Sequence, residues 1–271
     1  METERKAERM FSLYSLSKPE LVYWLFCAGI FGAAMGSFLN CAAWRIVQGE
    51  SFLTGRSRCP ACGHTLGAAD LAPIFSWLFL RGRCRYCRAP VSPRYFLAEC
   101  LCALLTVLCL WRFDLTVLCL RNYVFLCCLF CLSLVDLDSF IIPDGCLIIP
   151  ALAWILTLPF VPANVGLSLL SALLYGGGTL ALSLLMDRIL QKESLGGGDV
   201  KLFALMGLYL GPIASLFALL FACVFGLLFA LAARCGTGKP FPFGPAISAA
   251  SALMLLYGAP LTEWYWSLLV V

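Results

Sequence analysis

An all-α polytopic membrane protein of about eight transmembrane helices, with one small polar loop domain, is the fold class this sequence predicts. Three observations carry it. Apolar residues make up 62% of the 271-residue chain and only 13% are charged, against roughly a quarter charged in an average soluble chain. Mean hydropathy is +0.92. Apolar runs long enough to cross a bilayer, about 18 residues, recur along the chain.

Eight apolar segments can be drawn, at about 21–43, 95–111, 115–136, 146–162, 164–186, 200–211, 213–233 and 244–260. The first follows a mixed-charge tail (Glu2, Glu4, Arg5, Lys6, Glu8, Arg9) rather than a basic one. It ends in Asn40 and Arg45 without a small-residue cleavage site, so it reads as a retained helix and not a signal peptide. The sixth and seventh are parted by Gly211-Pro212, which predicts a tight helical hairpin. No internal repeat or low-complexity linker is evident.

Charge orients these segments. Eight arginines fall between Arg45 and Arg94 (Arg45, Arg56, Arg58, Arg81, Arg83, Arg85, Arg88, Arg94), opposed before Glu99 only by Glu50 and Asp70. By the positive-inside rule this loop is cytoplasmic. Alternation then places 137–145, 187–199 and 234–243 on the same side, where Arg188, Lys192, Lys201, Arg234 and Lys239 also fall. Arg112, Arg121 and the tail with Lys18 stand against it. The basic loop is short and lies against a membrane surface, so nucleic acid is not expected as a partner; the lipid bilayer is.

Most of the 16 cysteines sit in apolar runs, among them Cys27, Cys100, Cys109, Cys128 and Cys223, where a thiol acts as a small hydrophobe. With the loops cytoplasmic, a disulfide scaffold is not expected. Residues 45–94 are different. This piece is too small for a core of its own and needs a staple. Cys59-Pro-Ala-Cys62 and Cys84-Arg-Tyr-Cys87 are two CxxC knuckles 21 residues apart. Such a pair aims four thiolates at one tetrahedral centre, the pattern of a structural zinc site with no position left for water; two cytosolic thiol pairs in redox use, or a chance spacing, are the alternatives the residues leave open. His64, the one histidine, reads as a polar loop residue or a partner behind the ligands.

Carboxylates in or beside a span are costly and point to function. Two clusters stand out: Asp136-Leu-Asp138 with Pro143-Asp144, and Gly196-Gly-Gly-Asp199-Val-Lys201. Both fall on the cytoplasmic face by the topology above. Two convergent carboxylates can share a proton, one acting as base on water and the other as acid on a carbonyl, with pKa values belonging to the pair. Gly198 and its neighbours allow close backbone approach. Asp199 also resembles a helix N-cap, Asp144 could cap the fourth span, and Lys201 could snorkel. The residues alone leave open catalysis, ion or proton translocation as in a transporter or channel, and plain interfacial roles.

The ordered motifs resemble the type IV prepilin (leader) peptidases, membrane aspartyl peptidases of the GxGD class. Gly36-Ser-Phe-Leu-Asn40 with Arg45 looks like that family's opening motif, and residues 59–95 its cytosolic cysteine domain. Asp136-Leu-Asp138 with Ile142-Pro-Asp144, Gly196-Gly-Gly-Asp199-Val-Lys201 and Pro242-Phe-Gly-Pro245 follow in family order. Ile46-Val47 departs from a leucine–proline pair that often follows the arginine. The resemblance implies Asp136 and Asp199 as catalytic, with Asp138, Lys201 and Gly198 in support, and Cys59, Cys62, Cys84 and Cys87 as zinc ligands. It implies cleavage of the short basic leader of type IV prepilins or pseudopilins at the cytoplasmic face of a bacterial inner membrane. The cysteine loop favours the branch that also methylates the new N-terminus with S-adenosylmethionine. The parts would be 1–44, an N-terminal segment and first helix; 45–94, the zinc-binding domain; and 95–271, the peptidase core.

Overall fold

The computed structural model describes residues 13, 16–51, 55–161, 164–191, 195–232 and 241–269, with Leu269 described by its backbone alone. The charges of Glu2, Glu4, Arg5, Lys6, Glu8, Arg9, Lys192, Arg234 and Lys239 lie outside the described residues. Among the described residues the elements are all helical: α1 Lys18–Val47, α2 Phe75–Phe79, α3 Pro93–Phe113, α4 Val117–Ser139, α5 Gly145–Thr157, α6 Val165–Leu190, α7 Gly197–Ala232 and α8 Gly244–Leu269. All but α2 and α5 are long and apolar enough to cross a membrane, six helices in all. The chain is a multi-pass membrane protein.

Local chemistry sets the helix starts. Ser17 and Glu20 form a reciprocal capping box at α1, with the Ser17 N–H donating to Glu20 Oε2 at 2.9 Å, which satisfies amides that have no partner inside the helix. Pro93 opens α3, where its missing N–H costs nothing. The Asn164 side chain accepts the Leu167 N–H at 3.1 Å to start α6.

Helix α7 is two helices in sequence. Gly211, at φ 74° and ψ −179°, interrupts it ahead of Pro212. A straight helix would set residues 203 and 226 about 35 Å apart. Yet the Phe203 ring lies 6.2 Å from that of Phe243, and a Cβ on Gly226 would meet that same Phe243 ring at 2.8 Å. The chain therefore turns back on itself at Gly211, as the hairpin expectation required. The Tyr175 hydroxyl donates to the Pro212 carbonyl at the turn. Counting both arms and the short apolar α5 gives eight apolar helical segments among the described residues.

The chain divides into two compact units, Met1–Tyr123 and Val124–Val271. In the first, α1 packs on α3, and the cysteine loop runs between them. Contacts among the described residues hold the loop to α3. Trp77 of α2 stacks on Phe96 with centroids 4.9 Å apart, and the Ile74 N–H donates to Glu99 Oε2 at 2.6 Å. In the second unit α7 packs against both α6 and α8. Phe125, Leu129, Leu132 and Val135 of α4 are buried there, and Phe125 stacks on Tyr209 at 4.1 Å. Leucines such as Leu169, Leu173 and Leu184 on α6 are exposed, a surface suited to lipid rather than water.

Candidate active site and metal centre

The second unit assembles a carboxylate site from three helix ends. Asp136 lies in the last turn of α4 and is only 5% exposed. Its Oδ2 accepts the N–H of Gly244, the first residue of α8, at 2.8 Å. Helix α4 ends just beyond: the Phe140 N–H still reaches the Asp136 carbonyl at 2.9 Å, but Phe140 itself is left-handed with φ 57°. Pro143 follows, and a proline cannot donate to a continuing helix.

Asp199 enters from the first turn of α7. Its N–H donates to the Gly196 carbonyl at 3.0 Å, so it sits inside the first turn and not at the N-cap that the sequence suggested. Its carboxylate is close enough to Asp136 for the two charges to interact. Gly198 does provide close approach, but to this chain: a Cβ there would lie 2.9 Å from the Ile142 Cβ. The structure thus brings Asp136, Asp199 and Gly244 together.

Other acidic candidates fall elsewhere. Asp138 is exposed, because two residues along a helix turn a side chain by about 200°. Asp144 occupies the N-cap position of α5 without a side-chain cap bond. It pairs with Lys201 instead, Nζ to Oδ1 at 2.7 Å, with both side chains well exposed. Gly244 is the residue that sequence reasoning left without a role. Its signal was present, as the Pro242-Phe-Gly-Pro245 motif at a helix start.

The cysteine loop builds its own centre in the first unit. The four Sγ atoms of Cys59, Cys62, Cys84 and Cys87 lie within 4.8 Å of one another, and Cys59 Sγ is 3.9 Å from Cys87 Sγ. Zinc–sulfur bonds of about 2.3 Å in a tetrahedron require sulfurs about 3.8 Å apart, so the cluster could hold a metal ion of that kind.

The two knuckles repeat each other bond for bond. The Cys59 N–H donates to the His64 carbonyl and the Cys84 N–H to that of Ala89; Gly63 N–H returns to Cys59 O and Arg88 N–H to Cys84 O; Leu66 N–H reaches Ser57 O and Val91 N–H reaches Gly82 O. Gly63 at φ 70° and Arg88 at φ 61° hold equivalent left-handed positions. The sequence displayed the CxxC pairs but not this repeat, since the residues between them differ. Backbone N–H groups of Cys87 and Tyr86 aimed at Cys84 pull its thiol down to about 7. Cys87 receives the Ala89 N–H, which lowers its thiol, but desolvation and the neighbouring thiols outweigh that and leave it at about 11.

Asp70 ties the knuckles to the rest of the loop. Its carboxylate accepts from the Gly67 N–H, from Arg85 Nε at 2.6 Å and from the Tyr86 hydroxyl at 3.0 Å. The Gly67 N–H foremost, then Tyr86 and Arg85, hold it below the usual carboxylate range. His64 is exposed and packs at a tilt against Tyr86, 3.6 Å between centroids; it is outside the four-cysteine cluster.

Fold and sites together define a multi-pass helical membrane protein with two carboxylates within charge reach of each other and a separate four-cysteine cluster. Family models match in the same order: the bacterial peptidase A24 N-terminal domain over residues 30–113, and the type IV leader peptidase family over residues 123–231. A Bacillus subtilis (strain 168) protein named prepilin leader peptidase/N-methyltransferase is 35% identical over 87% of this chain and 95% of its own length. A Dichelobacter nodosus protein of the same name is 32% identical over 89% and 94%. An Escherichia coli O78:H11 protein, the type 4 prepilin-like proteins leader peptide-processing enzyme, is 33% identical over 88% and 94%. No solved structure matches the chain significantly. The chain belongs to the type IV leader peptidase family.

Proposed function

We propose that this chain is a prepilin peptidase that removes the short basic leader of type IV prepilins or pseudopilins, with Asp136 and Asp199 as its catalytic pair. The relatives' names support the reaction. The observation that carries the residue assignment is a buried Asp136, held by the Gly244 N–H, within charge reach of Asp199. Two such carboxylates share one proton. One takes a proton from water as the oxygen attacks the scissile carbonyl. The other gives its proton to the carbonyl oxygen, and collapse of the resulting diol passes a proton to the leaving amine.

The clustering of basic residues in the loops supports an inner-membrane protein whose aspartates face the cytoplasm. A prepilin's leader is polar and its mature start is an apolar helix, so its scissile bond lies at that interface. Lys201 and Gly198 support the pair through Asp144 and Ile142 respectively. Zinc is the metal that suits Cys59, Cys62, Cys84 and Cys87: a closed four-thiolate shell makes it a structural ion, and its binding supplies folding energy to a loop without a core. The second activity in the relatives' names, N-methylation, would draw on S-adenosylmethionine and follows leader removal. The parts are then 1–44, 45–94 and 95–271, as a first helix, a metal-bearing loop and a peptidase core.

Purified Asp136→Asn and Asp199→Asn variants, incubated with a leader-bearing pilin peptide, test the assignment. Each should lose cleavage by about a hundredfold or more; cleavage at the wild-type rate by both would overturn it.

A further inference from the structure

Helix α2 presents its large apolar side chains outward. Phe75, Leu78 and Phe79 are spaced to share one face of a helical turn, and they are 55%, 50% and 83% exposed. Trp77, on the opposite side, faces inward: it stacks on Phe96, and its Nε1–H donates to the Val91 carbonyl at 3.3 Å. The outward face of α2 is therefore separate from the contacts that hold the loop together.

The depth of α2 follows from its partners on α3. Phe96 and Glu99, which receive Trp77 and the Ile74 N–H, lie three and six residues into a membrane-spanning helix that starts at Pro93. That places them about 4.5 and 9 Å along its axis. Helix α2 thus lies beside the first two turns of a span, at the level where headgroups give way to acyl chains. Tyr95 and Leu97 of α3 are exposed at that same level.

Charge identifies what meets this face. Arg81 and Arg83 follow α2 directly and Arg88 lies in the knuckle beyond them; all three are exposed, whereas Arg85 is engaged by Asp70. The Arg81 and Arg83 N–H groups donate back to Leu78 and Leu80 at 3.1 Å each, which keeps these arginines next to the apolar face. An apolar face with flanking arginines is the composition of a helix lying in the interface of an anionic bilayer.

We propose that α2 is an in-plane membrane anchor, with Phe75, Leu78 and Phe79 entering the acyl boundary and Arg81, Arg83 and Arg88 meeting anionic phospholipid headgroups. The anchor fixes the cysteine loop against the bilayer surface. It neither uses the aspartates nor requires the loop to hold metal.

The test is photocrosslinking from the full-length protein carrying Phe79→p-benzoylphenylalanine, a site exposed enough to accept the probe. Nanodiscs would contain three parts phosphatidylethanolamine to one part phosphatidylglycerol. Mass spectrometry should find mainly phospholipid adducts, with phosphatidylglycerol enriched several-fold over its share, since an anionic surface favours each nearby arginine by roughly fivefold. An Arg81→Gln/Arg83→Gln variant should reduce that enrichment towards the bulk ratio while phospholipid adducts persist. Adducts to protein, or no lipid adducts, would overturn the anchor. Enrichment unchanged in the arginine variant would overturn the headgroup contact.

Discussion

Gly244 donates its backbone N–H to Asp136 Oδ2 at 2.8 Å, and a Cβ on Gly244 would lie 2.7 Å from that same oxygen. The glycine is needed for the carboxylate's sake. A methyl group at that distance must push the carboxylate or the start of α8 aside, and the hydrogen bond weakens with it. Bonds to charged groups are worth about 1.5–3 kcal/mol, so Gly244→Ala should lower kcat about 10- to 100-fold on a leader peptide. KM should change little, because the substrate need not touch Gly244. Unchanged kcat would mean that this contact does not orient the reacting group.

Asp136 and Asp138 are separable by the same logic. One is buried against α8 and the other is exposed on the opposite side of α4. Asp138→Asn should keep cleavage within about threefold of wild type, whereas losing a positioned acid or base costs about a hundredfold or more. Parallel rates on one peptide decide it, and equal losses would make Asp138 a working member of the site.

How much of this was legible in the sequence depended on the range of the signal. Helix existence was written in apolar run length, and the α7 turn in Gly211-Pro212, because both are local. The four-cysteine cluster was legible from spacing. The Gly244–Asp136 bond spans 108 residues, and no local pattern encodes which carboxylate an amide will meet. For the same reason Glu99 registered only as a charge, although it holds the Ile74 N–H from 25 residues away. Asp144 takes the N-cap position that the sequence suggested, but its side chain pairs with Lys201, and that partner comes from a different helix.

Metal content provides an independent check on the loop. The Cys59→Ser/Cys62→Ser variant should lose stoichiometric zinc, and the loop should become sensitive to protease while the membrane helices resist. Acidification should act in the same direction, since bound thiolates must stay deprotonated and protons compete with the metal. Zinc measured across a falling pH series should therefore decline in the wild type. Full zinc in the double variant would mean that the ligands are other residues.

Gly211 sits at φ 74° and ψ −179°, a backbone region open essentially to glycine alone, where other residues cost about 1–3 kcal/mol. Nothing lies within 4 Å of a Cβ there, so Gly211→Ala isolates backbone strain from steric collision. The hairpin it closes carries Asp199 on one arm and packs against α6 and α8. We expect Gly211→Ala to lower the Tm of the detergent-purified protein. Gly178→Ala is the matched control: it too has open space around its Cβ, but it lies inside helical α6, where alanine is favoured over glycine by roughly 0.5–1 kcal/mol. The two alanines should therefore move Tm in opposite directions. If Gly211→Ala left it unchanged, the turn would be able to relax into a conformation that other residues adopt freely.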